Sequence, residues 1–315
     1  MTEATADLFG PVAADLQTVE SELRDGIAHD PPEVGQPMAE LFAAGGKRIR
    51  PALVLLSARL GSYDIRRLTP AAMAVELTHA ATLVHDDVID RAPTRRGRPT
   101  VSAQLGDEPA IVVGDYYFAK AYEHAARTGV AEVVDILALA VMGICAGEVR
   151  QQAIRYRYST GVDEYMRRIE AKTAVLVAAS CDIGALLGGL DAKERSGLRA
   201  YGRSLGLAFQ IADDVLDYTA TEGQVGKPIG HDIAEGFATL PLMLAAIRLE
   251  DGRKYSEAEA RRIVDDVRAS DGPRRALEKA REHAHEAQQQ VRVVGGHEAT
   301  SVLAALADYV VTRKL

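Results

Sequence analysis

At 315 residues, 47% of them hydrophobic and 26% charged, the chain has the composition of a globular protein able to bury a sizeable core, unlike a disordered tail or a collagen-like fibre. Its formal charge of −8 argues against nucleic acid as the main partner, because phosphate neutralisation wants a basic surface. Two cysteines, Cys145 and Cys181, are too few for a disulfide framework or a four-cysteine metal site, so reduced thiols in a cytoplasmic setting are expected.

The N-terminal MTEATADLFGPVAADLQ has neither the basic start nor the apolar run of a signal peptide. From there, apolar residues recur at three- and four-residue spacing. The pattern predicts helices over 11–28, 49–60, 70–90, 108–126, 131–158, 163–188, 194–218, 238–250, 256–269, 273–292 and 298–312. Gly45-Gly46, Gly61, Gly129, Gly188-Gly189 and Gly295-Gly296 fall between these segments, where helices stop. The central segments carry Ala, Leu and Val on every face, as at the centre of a bundle, and none reaches the roughly 20 apolar residues that cross a bilayer. No Asn-Gly or Asp-Gly joins two alternating strands. The chain is therefore expected to be all-α and, with no convincing linker, to form one large helical domain over 1–315. Two polar loops interrupt the pattern, RAPTRRGRPT at 91–100 and TATEGQVGKPIGHDIAEG at 219–236, each directly after a cluster of aspartates.

Those clusters read LVHDDVID (83–90) and QIADDVLD (210–217). With 23 aspartates in the chain, DDxxD arises by chance about 0.1 times, so two copies in matching apolar contexts carry information. A third doublet, IVDDVRAS (263–270), has Ala269 at the fifth position and reads as a solvated helix face. On a helix, Asp86 and Asp90 lie one turn apart on one face, and Asp213 and Asp217 repeat that spacing. Like charges about 6 Å apart repel by roughly 0.7 kcal/mol in water and nearer 3 kcal/mol at an effective dielectric of about 20. Partly buried, such helices need a cation. Oxygen-only ligands select a hard ion such as Mg²⁺, which shares its shell with substrate phosphates. If the two helices face each other, the carboxylates of Asp86, Asp87, Asp90, Asp213, Asp214 and Asp217 can hold several such ions and clamp a diphosphate. The competing reading makes both clusters helix N-terminal caps or exposed faces.

A second diphosphate would need cations alone. GGKRIRP (45–51) offers Lys47, Arg48 and Arg50, and PTRRGRPT (93–100) adds Arg95, Arg96 and Arg98. Taken singly, each reads as a solvated basic loop. Together with VELTHAATLVHDDVIDRAPTRRGRPT, VGDYYFAKAY, CAGEVRQQ, EAKTAVL, FQIADDVLDY, GKPIGHDIAEGFATLPL and TRKL, they resemble the all-trans polyprenyl diphosphate synthases over nearly the whole chain.

That resemblance implies a helical bundle of the isoprenoid synthase type with a central active-site cavity. It also implies addition of isopentenyl diphosphate to an allylic diphosphate, with about three Mg²⁺ ions when substrate is bound. Asp86, Asp90 and Asp213 would be the principal metal ligands, with Asp87, Asp214 and Asp217 completing the acidic walls directly or through water. Lys47, Arg50, His79 and Arg96 would hold isopentenyl diphosphate. Arg95, Lys172 and Lys227 would meet the allylic diphosphate, and Thr173 and Gln210 would lie near the allylic cation. As isolated residues, His79 reads as a core histidine and Lys172 as a snorkelling lysine; the strings ELTHAATL and EAKTAVL reverse that preference. One departure is Phe237 in EGFATLP, where many family members have a basic residue.

In the implied reaction the allylic diphosphate ionises, the isopentenyl double bond attacks the cation, and proton loss leaves a product five carbons longer. A terpene cyclase of the same fold needs no isopentenyl site, and GGKRIRP and the second full DDxxD argue against it. A non-catalytic regulatory subunit and a purely structural bundle leave the intact aspartate motifs unexplained. The resemblance further implies a homodimer, for which VGDYYFAKAYEHAA offers an apolar and aromatic surface. It is compatible with transient membrane contact for product release.

Product length follows from helical geometry. Counting back from Asp86, Ala81, Thr78, Leu77 and Ala74 can line a channel along the helix, small near the metal end. In the resembling family an aromatic five positions before the first aspartate gives short products, and Ala81 stands there. Six or more isoprene units extend over roughly 25 Å, about 17 residues of helix rise. A C30 to C50 product is expected, of the kind used as a quinone side chain. The alternative is a short-chain farnesyl or geranylgeranyl diphosphate synthase in which Phe118 or Tyr122 ends growth at C20.

Overall fold

The computed structural model describes residues 8–219, 230–292, 294–295 and 298–312. Among the described residues the regular structure is helical apart from one hairpin of two-residue strands. It forms two compact units, each assembled from separate stretches: Met1–Val141, Ala179–Arg199 and Arg292–Leu303 in the first, Met142–Ala178, Ala200–Val291 and Ala304–Leu315 in the second.

In the first unit, α1 (Ala13–Ala28), α2 (Pro32–Ala43) and α3 (Ile49–Ala58) precede a long helix, α4 (Ile65–Ile89). The hairpin β1 (Thr94–Arg95) and β2 (Arg98–Pro99) follows, then α5 (Val101–Leu105) and α6 (Asp107–Arg127). Helix α4 packs against α1, α3 and α6. Most of its residues are buried, which explains an Ala- and Leu-rich sequence with no polar stripe. It starts five residues before the predicted 70, where the Asp64 carboxylate accepts from the Arg66 backbone N–H at 3.1 Å and caps it. Pro70 inside the helix hides that first turn from a periodicity reading. Helix α2 was not predicted either, because Pro31, Pro32 and Pro37 break the pattern, although Pro32 sits at the first helical position, where proline is favourable.

The aromatic surface expected on VGDYYFAKAYEHAA is narrower than the sequence suggests: Tyr117 is buried, while Tyr116, Phe118 and Tyr122 are half-buried. Tyr117 is 0% exposed, and the hydroxyls of Tyr116 and Tyr117 donate to Asp30 at 2.8 and 2.9 Å, joined there by Lys120 Nζ at 2.5 Å. A buried carboxylate needs those donors, and they hold the Tyr117 ring inside the core. Among the most exposed large apolar residues are Val112 on α6 and Leu139, Met142 and Val149 on α7 (Ala131–Ala153).

The predicted 163–188 helix, which starts in the second unit and runs on into the first, is interrupted. Helix α8 (Val162–Ile169) passes into a π turn, Glu170–Ala174, before α9 (Val175–Leu187) resumes α geometry. After α10 (Ala192–Thr219) come α11 (His231–Ala234) and α12 (Leu240–Leu244). The predicted 238–250 helix shrinks to α12, and Ala246 takes a left-handed φ of 57° just beyond it. Helices α13 (Glu257–Arg268), α14 (Gly272–Arg292) and α15 (Glu298–Thr312) complete the chain. A Ser256–Glu259 capping box starts α13, and its Ala260, Val264 and Val267 pack with Tyr218, Ile233 and Leu242. Asp265 and Asp266 are exposed, as expected for a solvated face. No helix among the described residues is long and apolar enough to cross a membrane.

Candidate active site

Both aspartate motifs end helices. Asp86 and Asp87 lie in the last turn of α4 with Asp90 as its C-cap, and Asp213, Asp214 and Asp217 lie in the last two turns of α10. The N-cap reading is therefore excluded for both. Carboxylates at a helix C-terminus add negative charge to the negative end of the macrodipole, which disfavours them unless a cation compensates. In each motif the outer aspartates, Asp86 and Asp90 or Asp213 and Asp217, are half-buried, while the middle one is buried and anchored inward.

In the first unit that anchor is an arginine. Arg95 donates to Asp87 through Nε at 2.9 and 3.1 Å, and its Nη2 lies 2.7 Å from Oδ1. The chain reverses from helix to hairpin through a Schellman-type stop: Arg91 takes φ 50°, its N–H donates to Val88 O, and the Ala92 N–H donates to Asp87 O at 2.9 Å. Arg96 and Gly97, with φ of 52° and 74°, then form a two-residue turn of the primed type. The hairpin and the helix stop escaped prediction because arginine occupies positions where asparagine or glycine gives the signal. Non-glycine residues held at positive φ concentrate at functional sites.

The hairpin tip reaches the other basic segment, where Arg96 Nη1 donates to the Gly45 carbonyl. Within GGKRIRP the arginines divide the work. Arg48, at φ 51°, is buried, donates to Glu76 Oε1 at 2.8 Å and to Phe42 O at 3.3 Å, and lies over the Phe42 ring. It anchors the loop. Lys47 is exposed beside it and Arg50 is half-buried. Among the described residues, Arg50 and Arg96 have no carboxylate at ion-pair distance. Burial lowers the pKa of Arg50, with Glu76 opposing, and burial together with Arg95 and Arg48 lowers that of Arg96. His79, two turns before Asp86 on the same face, is held well below the usual histidine range by burial and by Arg50, Arg96, Arg95 and Arg48. A neutral imidazole among four guanidiniums and a lysine loop makes a pocket suited to a polyanion.

The four residues expected to line a channel, Ala74, Leu77, Thr78 and Ala81, are 0–1% exposed, and the Thr78 hydroxyl donates to Ala74 O at 2.8 Å. Phe118 lies 5.5 Å from the His85 ring, centroid to centroid.

In the second unit the predicted residues form a chain of hydrogen bonds. Thr173 Oγ1 donates to Gln210 Oε1 at 2.7 Å, Gln210 Nε2 donates to Asp214 Oδ1 at 2.9 Å, and the Tyr165 hydroxyl donates to Asp214 Oδ2 at 2.7 Å. Burial, and then the charge of Asp232, push the Asp214 carboxyl up to about 7, against the pull of its two donors. Lys172 Nζ donates to Glu148 Oε2 at 3.3 Å, and Glu148 also accepts from Gln151 and Gln152. Sequence reasoning missed Glu148, Tyr165 and Asp232; the three- and four-residue spacing of Glu148, Gln151 and Gln152 was the available signal. Lys227 lies outside the described residues.

Phe237, the departure from the usual basic residue, lies between two guanidiniums, Arg155 at 5.8 Å and Arg168 at 5.6 Å from its ring centroid. Arg155 donates to Glu235 O and to the Glu235 carboxylate, and Arg168 donates to Ala238 O at 2.8 Å. Cations thus reach position 237 from α8 and from the segment after α7.

Among the described residues no group of three acidic, histidine or cysteine side chains stands ready to enclose a metal. The donor set offers instead two half-buried carboxylates per motif at a negative helix end. That fits Mg²⁺, which is usually held by one or two carboxylates and completes its shell with water and phosphate oxygens.

The sequence profile of the family described as polyprenyl synthetase matches residues 31–272. Heptaprenyl diphosphate synthase component 2 of Geobacillus stearothermophilus is 38% identical over 310 residues, covering 96% of this chain and 97% of the relative. A decaprenyl diphosphate synthase from Rhodobacter capsulatus superposes with a TM-score of 0.90 at 32% identity, over 98% of this chain and 99% of that one. A polyprenyl synthase from Caulobacter crescentus, complexed with calcium and isoprenyl diphosphate, gives 0.92 at 35% identity, over 98% of both chains. With its all-α fold, its two aspartate motifs and these likenesses, the chain belongs to the polyprenyl synthetase family and is a prenyltransferase of the polyprenyl diphosphate synthase type.

Proposed function

We propose that the chain condenses isopentenyl diphosphate with an allylic diphosphate in a Mg²⁺-dependent reaction, making an all-trans product of about C30 to C50. The observation that carries this reading is the repeated motif geometry: twice, a helix ends in two half-buried aspartates whose middle neighbour is pinned inward. Mg²⁺ bound there supplies positive charge to the departing allylic diphosphate. Asp86, Asp90, Asp213 and Asp217 are its proposed ligands, while Asp87 and Asp214 hold the two motifs in place. Lys47, Arg50 and Arg96 hold isopentenyl diphosphate, and neutral His79 offers it a hydrogen bond. Arg95, Lys172 and Lys227 orient the allylic diphosphate, with Arg155 and Arg168 supplying the positive charge that Phe237 lacks. The oxygens of Thr173 and Gln210 present their dipoles to the allylic cation. The whole chain acts as one synthase domain.

Small Ala81 and Ala74 support the long product, as does similarity to proteins named heptaprenyl and decaprenyl diphosphate synthases. Since the helix is closed around them, the growing chain displaces neighbouring side chains as it lengthens. Purified chain given farnesyl diphosphate, excess isopentenyl diphosphate and Mg²⁺ is expected to yield products beyond C25 by chromatography, none in excess chelator, and shorter ones from Ala81→Phe. A C15 or C20 end product overturns the long-chain assignment, and full activity in chelator overturns the metal requirement.

Replacing Arg96 with alanine removes both a phosphate contact and the tie to Gly45. It is expected to raise KM for isopentenyl diphosphate about tenfold or more, with a smaller change for the allylic partner. The reverse ranking shows the two diphosphate sites exchanged. A homodimer through the exposed stripe of Leu139, Met142 and Val149 is proposed. The Geobacillus relative, named a component 2, favours a second reading in which the chain is the catalytic part of a two-component synthase. Activity of the purified chain alone decides between them.

A further inference from the structure

The π turn Glu170–Ala174 carries Lys172 and Thr173 at its centre, and the flanking alanines touch glycines on two different helices. A Cβ built on Gly147 of α7 falls 2.4 Å from Ala171 Cβ, and one built on Gly206 of α10 falls 2.5 Å from Ala174 Cα and 2.9 Å from its Cβ. Neither glycine has a positive φ, so close approach is what excludes a side chain there. Glycine within a helix is disfavoured relative to alanine, and although Gly143, Gly197 and Gly202 also lie in these helices, Gly147 and Gly206 are the ones pressed against the π turn. Each helix that supplies a glycine also supplies a polar partner to the turn. Glu148, next to Gly147, accepts from Lys172 at 3.3 Å, and Gln210, one turn after Gly206, accepts from Thr173 at 2.7 Å. Arg203 of α10 adds a two-point bond to Glu170 at 2.5 and 2.7 Å. A π turn widens the helix by one residue and is retained where packing over-determines it.

We propose that Gly147 and Gly206 are positioning residues for prenyl transfer, holding Lys172 and Thr173 in place by letting the π turn lie directly against α7 and α10. This deepens the reaction proposed above and rests on it. Relieving a 2.4 Å contact takes a shift of about 1 Å, and misplacement of that size in a strict reacting geometry costs about a hundredfold in rate.

The test is steady-state kinetics on Gly147→Ala, with folding checked by circular dichroism. Its kcat is expected to fall about ten- to a hundredfold, with KM for isopentenyl diphosphate changed less than about twofold, because that substrate's proposed residues lie elsewhere. Adding Ala171→Gly removes the clashing methyl and leaves Ala171 Cα at an ordinary 3.6 Å, so the double variant is expected to recover to within about threefold of wild type. Gly206→Ala is expected to lose kcat in the same way but not to be rescued by Ala174→Gly, since the Cα clash remains. Undiminished kcat in Gly147→Ala overturns the proposal, as does a loss confined to KM for isopentenyl diphosphate or a double variant no better than the single. If Gly147→Ala does not fold, the double variant decides: restored activity supports the role, and a folded but inactive or unfolded double variant overturns it. Wild type in the same assay keeps the two ideas apart. No wild-type product overturns the reaction itself, whereas an active wild type with an equally active Gly147→Ala overturns the positioning role alone.

Discussion

Replacing Asp86 with alanine is expected to lower turnover about a hundredfold to a thousandfold, the scale on which single groups that stabilise developing charge act. Stability should not follow. Asp86 is half-buried at the negative end of α4, one turn from Asp90, so its removal relieves repulsion in the absence of a cation. The variant is expected to melt within about 2 °C of wild type, and raising Mg²⁺ is expected to recover part of its rate. Asp213→Ala is expected to behave alike. Asp266→Ala, in the exposed doublet on α13, is the matched control and should keep turnover within about twofold. Turnover unchanged in Asp86→Ala removes that residue from the metal shell.

Glu76→Ala is expected to be the most destabilising of these single changes. Glu76 and Arg48 are each 6% exposed and 2.8 Å apart, and truncating Glu76 leaves the buried Arg48 charge only its longer pair with Glu20, at 3.4 Å, at a cost of about 3 kcal/mol. In a chain this size that lowers the thermal midpoint by roughly 5 °C. Activity should fall as well, because Arg48 fixes the loop that presents Lys47 and Arg50. Replacing both partners by Arg48→Met and Glu76→Leu is expected to recover most of the stability, since apolar isosteres leave no charge behind. A midpoint for Glu76→Ala within about 2 °C of wild type would falsify the anchoring role.

Periodicity placed most of the long helices, and composition was enough for the fold class, because burying an apolar face leaves a repeat that needs no knowledge of the partner. What it missed depends on contacts made across the sequence. Arginine at positive φ, in Arg48, Arg91 and Arg96, has no local signature, so the helix stop and the hairpin were invisible. The π turn in EAKTA reads as ordinary helix because its cause lies in Gly147 and Gly206. The aspartates, Lys47 and Arg50 stood out as residue types at a spacing, whereas His79 stood out only through the family resemblance of its surrounding string. The separate duty of the middle aspartates was not, since Asp87 and Asp214 differ from their neighbours only in what they meet inside. Phe237 looked like a lost cation, and only the fold brings Arg155 and Arg168 to it.

An α-helix advances about 100° per residue, so the extra residue in Glu170–Ala174 rotates everything from Val175 onward by that angle relative to α8. The stretch from Tyr165 to Val175 therefore tolerates changes of side chain far better than changes of length. Deleting a single residue from it would restore a regular helix while turning α9, which is buried on nearly every side, within its packing, so that each of its side chains met the wrong neighbours although every remaining amino acid stayed the same.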